Sequence, residues 1–181
     1  MSSILLTKKQ KENEYVKSID KIPTNIMIAA WAIALGAITP MLDATMINIA
    51  IKDLTQDFHT TLSIIQWGVT GYLLALAIAV PISGWLMNQF NSKRVFISAV
   101  VGFGITSLAT GLSSNIVTFI SFRLLQGFSA GVITTLMSTM LVLIAGQKYI
   151  GRVIAIVSTP MILGPILGPV LGGLIIHFAT W

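Results

Sequence analysis

Two residues in this chain could do acid–base chemistry in a setting where it would matter. Arg123 is the single formal charge in the apolar stretch 116–145, and Asp43 is the single formal charge in the apolar stretch 26–51. A guanidinium or carboxylate inside hydrocarbon costs a few kcal/mol on insertion scales, so it persists only beside a partner or a cavity. Opposite charges hold each other ionised, while desolvation favours the neutral acid. An acid balanced between those two influences can load a proton and release it again. That is the chemistry of a coupled transporter. The plain structural alternative is a static pair that locks two helices together.

The elements must bring the two charges to one place. Stepping along a helix from Arg123 gives Gly127, Ala130, Thr134 and Ser138, a face of small and polar side chains. The opposite side carries Ile120, Leu124, Phe128 and Val132 and reads as the lipid side. If the stretches at 26–51 and 116–145 run in opposite directions, Asp43 and Arg123 each lie about seven residues from the same membrane surface. At 1.5 Å per residue both then sit roughly 10 Å deep. Equal depth permits contact without requiring it.

Composition supports a membrane setting. Hydrophobic residues make up 55% of the 181 and charged residues 9%, with a mean hydropathy of +0.88. A soluble domain carries roughly a quarter charged residues, so the chain reads as an all-α integral membrane protein. Residues 1–23 form a polar, mixed-charge tail and residues 24–181 the membrane region, with five spans at about 26–51, 64–87, 95–112, 116–145 and 153–176. Trp67 and Trp85 fall near the two ends of the second span, where interfacial aromatics belong. The tail and the 2–3 and 4–5 links hold nine of the eleven Lys and Arg residues. That bias places the amino terminus in the cytoplasm of a multi-pass protein of the cell membrane. The net charge of +5 is therefore a topology signal and not a nucleic-acid face.

Other chemistries find little support. The chain has no cysteine, which excludes thiolate chemistry and disulfides. His59 and His177 lie far apart near span ends, so no metal site is expected. No catalytic dyad or phosphate-cradling loop appears, and an enzyme is not expected. No cofactor is expected either, a proton gradient serving as the energy source.

The fifth span carries Gly164, Pro165, Gly168, Pro169, Gly172 and Gly173. Glycine at every fourth position makes a smooth groove for close helix contact. Each proline removes a backbone donor and bends or loosens a helix. The doubled Gly-Pro suggests a hinge between two states.

With these stretches in hand, the chain resembles the major facilitator superfamily, and specifically its fourteen-helix drug:proton antiporters. Four motifs in order carry the resemblance: Leu42-Asp43-Ala44-Thr45-Met46-Ile47-Asn48-Ile49-Ala50, Gln66-Trp67-Gly68-Val69-Thr70-Gly71-Tyr72-Leu73-Leu74, the Arg-x-x-Gln-Gly of Arg123, Gln126 and Gly127, and the Gly-Pro repeat of 164–173. The resemblance implies cation or proton binding at Asp43 and proton coupling at Arg123, with Thr45, Asn48 and Gln126 as candidates to line a central cavity. It implies that the first and fourth helices share that cavity, and that the fifth-helix motif marks an exporter of lipophilic drugs or toxic compounds by alternating access, a source of antibiotic resistance. Export of a metabolite is the alternative within the family, and a small membrane interaction protein the alternative outside it.

One motif departs. The 2–3 link usually reads Gly-x-Leu-Ala-Asp-Arg-x-Gly-Arg-Lys; here Gly84, Leu86 and Lys93 are kept, followed by Arg94, but the acid is Asn88. A neutral Asn88 can still hydrogen-bond at a helix amino terminus, but the charge latch implied by the family is weakened. The resemblance also implies twelve or more helices built from inverted repeats. Five spans ending at Trp181 read as the incomplete amino-terminal half, a fragment inactive alone that needs the missing carboxyl-terminal helices, with membrane lipid and a small lipophilic substrate as its other partners.

Overall fold

The computed structural model describes residues 22–178; the expected tail, but for its last two residues, and Ala179–Trp181 lie outside them. Three helices come first: α1 (Thr24–Asp57), α2 (Leu62–Gln89) and α3 (Ser92–Gly111). A continuous helical run, Ile116–Phe178, follows. It is broken at one residue, Gly146, whose φ of 59° and ψ of 177° lie outside the helical region. A positive φ of this kind suits glycine, which has no Cβ to collide with its own carbonyl. The break separates α4 (116–145) from α5 (147–178).

These helices form because their residues are apolar over the length a bilayer requires. The 20 residues of α3 rise about 30 Å, the thickness of the hydrocarbon core. The 34 residues of α1 rise about 51 Å and must project beyond it. All four helical runs are long and apolar enough to cross a membrane, the last by a margin that accommodates two passes. This is a helical membrane protein.

The helix ends differ from the expected spans in two places. α1 continues six residues past Ile51, through Lys52, Asp53 and Asp57. The expected polar link at 147–152 is helical too, and the chain turns at Gly146 alone. Both differences have one cause. Apolar runs mark the slab that excludes water, whereas intrahelical hydrogen bonds continue through charged residues wherever nothing breaks them.

The core is organised around α4. The α4–α5 run packs against α1, α2 and α3, whereas α2 and α3 make few contacts with each other despite the short link between them. Phe119, Ala130, Ile133, Leu136 and Leu141 of α4 are buried, together with Ile33, Ala34 and Ala37 of α1, Tyr72 and Ala79 of α2, and Phe96 and Phe103 of α3. The expected division of α4 into two faces is corrected here. Val132, assigned to the lipid side, is 3% exposed, because α3 and its neighbours cover that side as well. Ile120 and Phe128 are half-buried, and Ser138, assigned to the packed face, is exposed. Leu124 and Leu125 are the outward residues near the arginine.

Close helix contact depends on glycine. A Cβ at Gly127 would collide with the backbone of α2 at Tyr72, and one at Gly131 with the backbone at Leu76. In α5 the glycines at four-residue spacing face α1: Gly164 lies against Met41, Gly168 against Thr45 and Gly172 against Met46. Pro165 and Pro169 point outward, and helical structure runs unbroken through both.

Candidate functional site

The two isolated charges meet. Arg123 Nη1 of α4 donates to Asp43 Oδ2 of α1 across 2.6 Å. Gln126, three residues further along α4, donates from Nε2 to Asp43 Oδ1 across 3.0 Å. Both carboxylate oxygens are thus held by one helix. A spacing of three residues places Arg123 and Gln126 on neighbouring rows of one helix face, which is what a two-point grip on a single carboxylate requires.

Two aromatic rings flank the guanidinium. Phe119, one turn before Arg123 on the same helix, puts its ring centroid 5.6 Å from the guanidinium carbon. Tyr72 of α2 puts its own at 6.0 Å. Ring faces attract cations, more so where water is excluded, and the Arg123 side chain is only 7% exposed. Tyr72 is itself held by its hydroxyl, which donates to Pro40 O of α1 at 3.4 Å. The absence of a side chain at Gly127 lets α2 come close enough for that ring to reach the arginine.

The grip leaves two groups open. Arg123 Nε and Gln126 Oε1 are buried and have no hydrogen-bond partner. Such groups cost free energy unless water or a ligand reaches them. A cavity of about 200 Å³ adjoins the pair, bordered by Asp43, Arg123, Ile47, Phe119, Gly172 and the α3 residues Ser107 and Thr110. It is smaller than the roughly 300–1,000 Å³ of a drug-sized site. It can hold water and protons, or one end of a larger molecule.

The remaining sequence candidates fall elsewhere. Thr45 is not on the cavity: its Oγ1 donates back to Leu42 O at 2.8 Å and the side chain lies against Gly168. Asn48 is turned outward and donates to Ala44 O. Asp43 and Thr45 are separated by about 200° around the helix at 100° per residue, so they face different sides of α1. Gly172 borders the cavity and Gly173 is exposed. In the 2–3 link, Gly84 is half-buried, and Asn88, Lys93 and Arg94 are exposed and far along the chain from the pair. The side chain that caps α3 is Asn91, accepting from the Lys93 backbone N–H at 3.0 Å.

Tyr72, Phe119, Ser107 and Thr110 were not singled out as site residues from the sequence. Phe119 was within reach of that reasoning, since it precedes Arg123 by four residues. Ser107 and Thr110, three apart on α3, carried no charge to draw attention.

Comparison with known proteins bears on this arrangement. The family model described as Major Facilitator Superfamily matches residues 33–181. A multidrug resistance protein B homolog of Mycobacterium tuberculosis is 36% identical over 162 residues, covering 90% of this chain and 30% of that protein. The tetracenomycin C resistance and export protein of Streptomyces glaucescens is 34% identical over 154 residues, covering 83% and 28%. A putative multidrug resistance protein of Salmonella paratyphi B is 28% identical over 161 residues, covering 89% and 34%. The chain thus spans about 30% of the length of these relatives.

Proposed function

The chain belongs to the Major Facilitator Superfamily, and from that membership we propose that it is part of an exporter that expels small lipophilic compounds from the cell in exchange for protons. The observation that carries this reading is the buried pair of Asp43 and Arg123, gripped by Gln126 and opening on a cavity. The names of relatives, multidrug resistance and tetracenomycin C resistance and export, support efflux as the direction.

The residues divide the work. Asp43 accepts a proton from one side of the membrane. Protonation releases the carboxylate from Arg123 and Gln126, and the freed guanidinium then needs a new partner, which biases the helices toward a different packing. Loss of the proton to the other side restores the pair. Each proton moved down the membrane potential supplies about 2.3 kcal/mol per 100 mV. The cavity of about 200 Å³ is too small for a drug-sized molecule, so the substrate binds between this chain and the further helices of a longer assembly. Nine of eleven basic residues on one set of links support a cell-membrane protein with a cytoplasmic amino terminus.

A second reading is an exporter of one endogenous product, favoured by the relative whose name specifies a single compound. One experiment addresses both. The chain is grafted in place of the matching portion of the 36%-identical relative and assayed in inverted vesicles with an imposed pH gradient. Expected is uptake of cationic lipophilic dyes, lost in Asp43→Asn. Proton-driven transport that persists in Asp43→Asn overturns the coupling role, and transport of one compound only favours the second reading.

A further inference from the structure

A second recess, separate from the cavity beside the ion pair, opens at the end of the bundle that carries the α2–α3 link. α2 and α3 splay apart after their turn, and α4 closes the bottom of the wedge with Phe128, Ser129 and Val132. The recess has a volume of about 470 Å³, with Leu86, Val95 and Ala99 among its apolar walls. Arg94 stands at its mouth, and the exposed Lys93 is its neighbour.

Three observations identify what fits. The lining is more apolar than polar and reaches from Phe90 and Arg94 at the helix ends to Phe128 and Val132 on α4, an extent that suits an acyl chain. The level is the membrane interface, since Trp85 and Phe90 pair edge-to-face there at 6.4 Å and both are more than half exposed. Among the described residues no carboxylate borders the recess, since Asp43, Asp53 and Asp57 are all on α1. The first turn of α3 likewise has no acidic residue.

We propose that this recess binds one anionic phospholipid of the leaflet on the α2–α3 link side, its phosphate on Arg94 and one acyl chain along Val95, Ala99 and Val132. Lys93 adds to the attraction without entering the recess. The lipid wedges α2 and α3 apart at the level where the link has lost the acid of the family pattern. It ties the packing of α4 to lipid composition, independently of the transport reading.

The test is native mass spectrometry of the 181-residue chain, released from detergent after incubation with equimolar phosphatidylglycerol and phosphatidylcholine. Expected is preferential retention of phosphatidylglycerol, reduced roughly fivefold by Arg94→Gln, the weight of one cation–headgroup contact. Ser98→Trp, which fills the recess from an exposed position, removes both lipids. Lys148→Gln, which deletes an exposed cation on the same membrane face away from the recess, leaves the preference intact. Equal retention of the two lipids, or equal loss in Lys148→Gln and Arg94→Gln, overturns the proposal. So does displacement of the lipid by equimolar glycerol phosphate, or a crosslink placing the amino-terminal tail in the recess. Unchanged thermal midpoints in the variants show that a lost preference is not lost folding.

Discussion

The grip on Asp43 makes a definite energetic demand. Removing one partner of a buried ion pair leaves a desolvated charge and typically costs about 3–5 kcal/mol, whereas replacing both with apolar residues of similar size is often close to neutral. Asp43→Leu and Arg123→Leu should therefore each lower the thermal stability of the chain in detergent, and the double variant should recover most of the loss. A double-mutant cycle measures the coupling. Additive losses would mean that the 2.6 Å contact contributes nothing of its own. Gln126 should behave differently. Gln126→Leu removes the donor to Asp43 Oδ1 together with an orphan acceptor, so its cost is about 1–3 kcal/mol, less than that of breaking the ion pair. The residue's importance would show in proton coupling.

At the scale of helices, the motif at 123–127 gathers three tasks into five residues. Arg123 and Gln126 hold the acid, and Gly127 admits α2. Adding one methyl at Gly127 places a Cβ within the backbone of Tyr72, and backbone cannot swing aside as a side chain can. Gly127→Ala should therefore destabilise the chain by about 1–3 kcal/mol. Gly173→Ala is the comparison, a motif glycine of α5 with nothing within 4 Å of the added atom. It should be neutral or gain up to about 1 kcal/mol from helix propensity. Thermal unfolding midpoints in detergent decide between them, and equal effects would contradict the close approach of α2 and α4. The glycine repeat of α5 reads in the same way. Its face toward α1 is steric, while the prolines stand on the other side of a helix that stays continuous.

For the whole molecule, the arrangement of basic residues sets an expectation about orientation. The chain has no cysteine, so single-cysteine variants report topology directly. Gln89→Cys, beside the cationic α2–α3 link, should react with a membrane-impermeant maleimide only in inverted vesicles. Ser114→Cys, in the uncharged α3–α4 turn, should react only in intact cells. The reverse pattern would overturn a cytoplasmic amino terminus. The large exposed apolar surface of α2, including Leu73, Leu74 and Ile78, meets lipid or further helices in either case.

The all-helical membrane character, the isolation of Asp43 and Arg123 and the glycine periodicity of α5 are legible from residue types alone. They follow from water exclusion, which acts on each stretch separately. Tertiary structure decided the rest. Thr45 lies against α5 and Asn48 faces outward, so neither borders the recess beside the pair, because helix phase, not membership of a motif, sets which way a side chain points. Val132 became core because a helix at the centre of a bundle is covered on several sides, which its own sequence cannot report. Tyr72 reaches the arginine, and Ser107 and Thr110 the adjoining cavity, from helices distant along the chain. Depth could make the acid and the base possible neighbours, but only the packing of the bundle, with α2 drawn onto α4 and α5 onto α1 at glycine contacts, brought them within hydrogen-bonding distance.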